Sequence, residues 1–216
     1  MKGLLIKDMR ILMRQKTTFL IIVLLGIFLS ANGGDISFSL GYMMMVSATL
    51  AISTLGYDHF ENGMSFLFTL PINKKIYVLE KYILSVLVGL TVGLLGILLN
   101  VVEGFLGAQV PWNEFVATAA VSLAAAMLML AYYIPVYIKY GPEKSRVALL
   151  ILVGICVAGG YLAMKVEPVH QRLYQMLEVL ENMKLTQIIG ISIVIWTLIM
   201  AASIAVSVKI LEKKEF

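Results

Sequence analysis

Charged residues and cysteine are both scarce in this chain. Asp, Glu, Lys and Arg make up 14% of the 216 residues, 60% are hydrophobic, and the mean hydropathy is +0.92. A water-facing globule of this size needs more charge to cover its surface. The composition therefore indicates a membrane protein and excludes soluble enzymes and nucleic-acid-binding proteins. The single cysteine, Cys156, cannot form an intrachain disulfide, so it leaves the redox compartment open.

The sequence also lacks the short motifs of common enzymes. No G-x-x-x-x-G-K-[ST] loop is present to hold nucleotide phosphates, and neither H-E-x-x-H nor G-x-S-x-G occurs. The two histidines, His59 and His170, are predicted on opposite sides of the membrane, so they cannot share a metal ion. We expect no catalytic residue, no metal site and no bound cofactor on this chain.

Long apolar runs dominate what remains. A bilayer core about 30 Å thick needs roughly 20 apolar residues of helix. Six uncharged runs approach or exceed that length, which predicts an all-α, polytopic membrane protein with six transmembrane helices in one domain, residues 1–216. The runs extend from Thr17 to Ala31, Ile36 to Tyr57, Tyr82 to Val102, Phe115 to Ile138, Val147 to Met164 and Ile188 to Val208.

Lys and Arg alternate between the segments that join these runs. Fourteen of the seventeen fall in residues 1–16, 74–81, 139–146 and 209–214, and the remaining three, Lys165, Arg172 and Lys184, fall in the last loop on the other side. Cytoplasmic segments retain positive charge. The pattern therefore predicts six spans with the N- and C-termini both in the cytoplasm.

Two segments outside the spans show helical amphipathicity. In residues 1–16, Leu5, Met9, Leu12 and Met13 share one face, and Lys7, Arg10 and Arg14 share the other. This predicts an interfacial helix that meets anionic lipid headgroups with its basic side; an ordinary basic flank without fixed orientation is the alternative. Residues 168–184 predict an external amphipathic helix, which either packs over the outer ends of the spans or rests on the membrane.

The loop between the second and third runs contains the sequence DHFENGMSFLFTLP, residues 58–71. Asp58 is suited to cap a helix, with Glu61 three residues later as in a capping box. Phe60, Met64, Leu67 and Phe68 follow helical spacing. Pro71 then ends the segment. The pattern predicts a short cytoplasmic helix over residues 58–70 that either lies on the membrane or docks in a groove of a partner.

This loop resembles the cytoplasmic loop of ABC-2-type permeases, in the small-permease branch that includes bacitracin- and lantibiotic-type permeases and the permeases of phenol-soluble modulin exporters. The resemblance extends over nearly the whole chain, from the basic start through the six spans. The residues that carry it are the acidic Asp58 and Glu61, then Gly63, an apolar run, Leu70-Pro71, and the basic Lys74-Lys75.

The resemblance implies that residues 58–70 are a coupling helix seated on a cytosolic ABC ATPase. Phe60, Met64 and Leu67 would be the anchors, and Asp58 and Glu61 either contribute to coupling or only cap the helix. ATP and Mg²⁺ would bind the partner ATPase. The resemblance also implies a second permease copy or a paralogue, because one chain has too few spans to enclose a pathway.

The third run carries a stripe of small residues. Gly89, Gly93, Gly96 and Asn100 share one helix face and include a G-x-x-x-G motif. Such a stripe permits close helix packing within the chain, and a dimer seam or a substrate path is the alternative.

Charge inside the spans bears on the energy source. None of the runs carries a charge near its centre, which argues against an ion-coupled carrier. Taken with the resemblance, this predicts the membrane subunit of an ATP-driven exporter in a bacterial cell membrane. The preferred substrate is an amphipathic, membrane-active peptide of the phenol-soluble modulin kind. The alternatives are a bacitracin or lantibiotic immunity permease and an ATPase-independent membrane sensor or scaffold.

Overall fold

The computed structural model describes residues 2–31, 36–60, 63–105, 112–165 and 185–214. Within these ranges the regular structure is helical. The helices are α1 (Lys2–Arg14), α2 (Lys16–Ala31), α3 (Ile36–His59), α4 (Gly63–Thr69), α5 (Lys74–Phe105), α6 (Trp112–Lys165) and α7 (Leu185–Glu212). The all-helical prediction is confirmed for this part of the chain, and the predicted external helix, residues 168–184, lies outside it.

Four of the described helices are long and apolar enough to cross a membrane, namely α3, α5, α6 and α7. Helices α1 and α2 meet at a bend of 62° and make a fifth span only if they are counted together. The structure therefore agrees with a multi-pass membrane protein, but helix length and apolarity give four or five candidate spans, whereas the sequence predicted six. The number of candidate spans is lower because α2 has only 16 residues and α6 continues through two predicted spans.

Helix α3 lies at the centre of the bundle and packs against α2, α5 and α6. Its most apolar window is 61% buried within the protein, whereas that of α6 is only 6% buried. Leu40, Met43, Met44 and Leu55 of α3 are almost fully enclosed. Residues 150–162 of α6 are exposed along most of their length, so most of their apolar surface remains for lipid or another chain, whereas Leu130, Ile134 and Ile138 of the same helix are buried.

The small-residue stripe of α5 lies where this helix packs against its neighbours. A Cβ atom on Gly96 would fall 2.0 Å from Cδ1 of Leu40, and one on Gly93 would fall 3.4 Å from Cε of Met44. Gly89 similarly faces Leu123 of α6 at 3.5 Å. These glycines therefore border intrachain contacts, and the side chain of Asn100 lies outside the described residues.

A single residue interrupts α6. Gly141 has φ 80° and ψ −177°, a conformation that is essentially reserved for glycine, and Pro142 opens the helical arm that follows. The sequence predicted a loop from residue 139 to residue 146, whereas the structure replaces it with this one-residue break. The two arms, residues 112–140 and 142–165, are each longer than a bilayer span requires.

Replacing Gly141 by alanine should destabilise the protein by about 1–3 kcal/mol, because a Cβ atom strains this backbone conformation. The matched control is Gly160→Ala, at a helical glycine with no atom within 4 Å of the added methyl. We expect the melting temperature of the purified protein in detergent to fall for Gly141→Ala and to hold or rise slightly for the control. Equal melting temperatures would show that position 141 does not require glycine.

Candidate functional site at the basic end of the bundle

The segments with the most positive charge meet at one end of the bundle. Helix α1 packs against α3 and α5 there. The Lys74 ammonium at the start of α5 donates to the Lys214 carbonyl at 2.8 Å, just beyond the end of α7. We call this region the basic end, formed by α1, the end of α3, α4, the start of α5 and the end of α7.

Four charged side chains from three helices form a buried ion network at the basic end. It consists of Lys7 and Asp8 of α1, Asp58 of α3 and Lys81 of α5. The Lys81 ammonium pairs with Asp8 Oδ2 and lies 2.7 Å from Asp58 Oδ2, and Lys7 pairs with Asp58 Oδ1 and lies 3.0 Å from Asp8 Oδ1. Two cations and two anions alternate, so neither buried carboxylate lacks a counter-charge.

Burial makes this network costly to break. The side chains of Asp8 and Lys81 are 0% and 1% exposed. Removing one partner from a buried pair leaves an uncompensated charge and typically costs about 3–5 kcal/mol. The network therefore holds α1, α3 and α5 in one arrangement.

Neutral groups complete the network. The Tyr77 hydroxyl donates to Asp58 Oδ2 at 2.9 Å, and the Lys81 ammonium donates to Thr54 Oγ1 at 3.3 Å. Glu80 is fully buried beside Lys81, 3.9 Å from its ammonium, and neither of its oxygens accepts a hydrogen bond from another described residue. Among the described residues, no three His, Cys, Asp or Glu side chains are placed to hold a metal ion.

The structure corrects the role predicted for Asp58. This residue lies inside the last turn of α3, and α4 begins at Gly63. Asp58 therefore does not cap a helix over residues 58–70, and its side chain pairs with Lys7 and Lys81 instead. Glu61, its expected capping partner, lies outside the described residues.

Gly63 permits α4 to fold back on the end of α3. A Cβ atom at this position would lie 2.9 Å from the carbonyl oxygen of Asp58, too close for a side chain. The glycine in the predicted motif thus serves a close backbone approach. Asp58 lies in the last turn of α3, before α4, and Lys81 lies in the third turn of α5, after α4. The ion network therefore joins the two helices that flank α4.

Helix α4 has an inner and an outer face. Met64 and Leu67 are buried, and the Phe68 ring packs edge-on against Tyr77 with centroids 5.7 Å apart. On the other side, Phe66 is 70% exposed and Leu70 46% exposed. Phe60, which precedes α4, is also 70% exposed. We call Phe60, Phe66 and Leu70 the outer apolar patch.

The expected anchors therefore need correction. Met64 and Leu67 were predicted to face a partner, but their burial shows that they fix α4 to the bundle instead. Phe60 is exposed, as an anchor must be, and so are Leu70 and the Pro71 that follows it. Sequence reasoning missed Phe66, because helical spacing alone cannot tell which of two apolar faces turns inward.

Helix α1 contacts the bundle through a face that the sequence analysis did not predict. Leu4, Asp8 and Leu12 are buried, whereas Met9 and Met13 are exposed. Of the apolar stripe predicted to enter the lipid, Leu5 and Leu12 pack on the bundle instead, and Met9 and Met13 remain exposed. Sequence reasoning also missed Asp8. It is the only acidic residue among the first 34, and this isolation in a basic segment is the signal that could have indicated a specific partner.

Comparison with known proteins gives one family. The family model described as "ABC-2 family transporter protein" matches residues 3–212. No curated protein and no solved structure matches the chain. The matched range includes the ion network and the outer apolar patch.

Replacing Lys81 by methionine should lower stability by about 3–5 kcal/mol, because Asp8 and Asp58 lose their shared cation in a buried site. The control Lys75→Met removes a surface cation 3.9 Å from Glu212 and should cost less than about 1 kcal/mol. The double variant Asp8→Asn with Lys81→Met should recover part of the loss, since it also removes an unpaired acid. Unfolding in detergent measures all three, and equal losses for Lys81→Met and Lys75→Met would contradict a stabilising network.

Proposed function

The chain belongs to the ABC-2 transporter family, and from that membership we propose that it is the membrane subunit of an ATP-driven exporter, coupled to its ATPase through α4. The family consists of membrane components of transporters, so association with an ABC ATPase follows from membership. ATP and Mg²⁺ then bind the ATPase, and this chain supplies the membrane path.

The outer apolar patch is the observation that carries this proposal. Phe60, Phe66 and Leu70 are exposed at the basic end, whereas Met64 and Leu67 of α4 are buried against the bundle. Exposed large apolar side chains, aromatic ones above all, are characteristic of protein docking sites. A helix with one face anchored in the bundle and the other exposed is suited to seat in a groove of the ATPase.

The buried ion network gives the docking helix a rigid base. Because Asp58 and Lys81 flank α4 and both contact α1, a push on α4 is applied to α1, α3 and α5 together. Packed elements shift as units, since interiors do not deform continuously. We infer that movement of the ATPases reaches the spanning helices through this network.

The proposed topology has six spans and cytoplasmic termini. Its support is the break at Gly141, which divides α6 into two arms of spanning length, and the gathering of basic segments at one end. On this topology α2 is the first span. The basic face of α1, which presents exposed Arg10 and Arg14, lies on anionic headgroups of a bacterial cell membrane.

A second permease, a copy or a paralogue, completes the transporter in this proposal. Residues 142–165 of α6 are exposed along most of their length, with Leu150 and Ile155 among the most open side chains. One chain thus leaves spanning surface for a partner as well as for lipid. The substrate we propose is an amphipathic, membrane-active peptide of the phenol-soluble modulin type.

Placing aspartate at both Phe66 and Leu70 should detach the ATPase, because charge at these positions removes apolar docking surface without touching the bundle interior. We expect at least a tenfold loss of ATPase recovered with the permease, on the scale of a lost hot spot. Co-purification from membranes measures it. Tyr140→Asp is the matched control, since it charges an exposed aromatic residue outside the patch.

Two outcomes would contradict the docking proposal. Undiminished recovery of ATPase with the Phe66→Asp, Leu70→Asp variant would exclude the patch as the docking face. Failure of the wild-type permease to bind any ABC ATPase encoded beside it would instead favour a sensor or scaffold.

Topology is tested with single cysteines in a Cys156→Ala background. We expect the introduced cysteines of Lys2→Cys and Lys213→Cys to be protected from an impermeant thiol reagent in intact cells and labelled after permeabilisation. Cys at Arg172 should be labelled in intact cells. Labelling of positions 2 and 172 from the same side would contradict six spans.

A further inference from the structure

Glu80 of α5 is a buried acid that the coupling role of the basic end does not use. Its side chain is 0% exposed, and the Lys81 ammonium lies 3.9 Å from its Oε2, beyond hydrogen-bond distance. Neither carboxyl oxygen accepts a hydrogen bond from another described residue. Buried polar atoms in folded proteins nearly always have a partner, and an ionised carboxylate is especially costly to leave without one. An ionised Glu80 is therefore unfavourable at this position.

A second carboxyl group beside Glu80 also has an oxygen without a hydrogen bond. The Asp8 carboxyl of α1 interacts with that of Glu80, and both lie against the Lys81 ammonium. Asp8 Oδ1 lies 3.0 Å from the Lys7 ammonium, yet no donor in the described part of the chain is directed at it. Two ionised carboxylates only accept hydrogen bonds and cannot satisfy each other, whereas a protonated carboxyl has an O–H to donate.

The charge balance of these buried groups gives an independent argument. The acids Asp8, Asp58 and Glu80 surround the bases Lys7 and Lys81, and three acids minus two bases leave one negative charge in excess when all five are ionised. Carboxylates that share a site normally retain a proton between them, because like charges disfavour ionisation of both. One bound proton makes the five groups neutral together.

A proton fits this position better than a metal ion does. Within the described ranges, no cluster of three His, Cys, Asp or Glu side chains could hold a metal ion. The Lys81 ammonium, which contacts both Asp8 and Glu80, would also repel a second cation beside it. The missing positive charge is therefore best supplied by protonation of an acid.

The other ionisable groups around Glu80 do not supply the missing donor. Lys7 of α1 and Tyr77 of α5 both face Glu80, but Lys7 pairs with Asp58 and the Tyr77 hydroxyl donates to the same carboxylate. Helix α4 carries no ionisable side chain. At the end of α7, Glu212 pairs with an exposed lysine instead.

We propose that Glu80 carries a proton in the folded protein, donates it in a hydrogen bond to Asp8 Oδ1, and so makes the basic end sensitive to pH. Loss of this proton at high pH leaves three buried carboxylates around two ammonium groups. Repulsion between Glu80 and Asp8 then acts across the contact of α5 with α1, which helps to hold the base of α4. The proton is a switch in the fold itself and does not depend on whether α4 docks on an ATPase.

Infrared spectroscopy of the purified protein in detergent at about pH 6 tests for the proton directly. An exposed glutamate has a pKa of about 4.3 and is ionised at that pH, so the carbonyl band of a neutral carboxylic acid marks a buried acid. We expect the band in wild type and its loss in Glu80→Gln. The matched control is Glu212→Gln, at an acid that is 50% exposed, and it should keep the band.

The pH dependence of unfolding measures the same proton thermodynamically. The unfolded chain releases the Glu80 proton above about pH 5, so the native protein binds one proton more and its stability falls as pH rises. Between about pH 5 and pH 8, the unfolding equilibrium constant of wild type should rise up to about tenfold more per pH unit than that of Glu80→Gln, until the native protein also loses the proton. The glutamine amide can donate to Asp8 at every pH. Glu212→Gln should keep the wild-type dependence.

Several results would overturn the inference. Absence of the infrared band from wild type would show that Glu80 is ionised, and this result decides the case even where Glu80→Gln cannot be purified. A band of full strength in Glu80→Gln would place the proton on another acid. A loss of stability in Glu80→Gln that is equal at each pH would show an ionised Glu80 that pairs with Lys81. None of these results bears on ATPase docking, which co-purification measures separately.

Discussion

Burial of Lys81 between two carboxylates is the interaction on which the arrangement of the basic end depends. A lone ammonium inside a bundle is unstable, so Asp8 must come from α1 and Asp58 from the end of α3 to surround it. That requirement brings together residues separated by 73 positions in sequence. The ion network also fixes the position of α4, because it joins the end of α3 to the first part of α5, the two helices that flank α4.

The same ion network explains how α4 can carry apolar side chains on both its buried and its exposed face. Its inner face, with Met64 and Leu67, rests on a base that the network holds, so its outer face can expose aromatic side chains without loosening the fold. In a free peptide, apolar residues on both faces of a short helix would promote aggregation. In the proposed exporter, the exposed face would give the ATPase a rigid surface to push against, and the buried face would transmit that push.

The spanning helices differ in how far the rest of the protein encloses them. Helix α3 is mostly enclosed by its neighbours, whereas the second arm of α6 is exposed along most of its length. The second arm of α6 therefore offers apolar surface that a neighbouring chain or lipid would cover, and α3 does not.

The sequence by itself determined the helical membrane class and the segments that carry positive charge, because hydrophobic runs and charge are local properties that need no partner. Reasoning from sequence placed Phe60 and Leu70 in the site but assigned Asp58 to a cap and turned Met64 and Leu67 outward. Only the tertiary structure decided these points, together with the roles of Asp8 and Lys81. The rotation of a helix about its axis, and the pairing of charges far apart in sequence, depend on which neighbours pack against it.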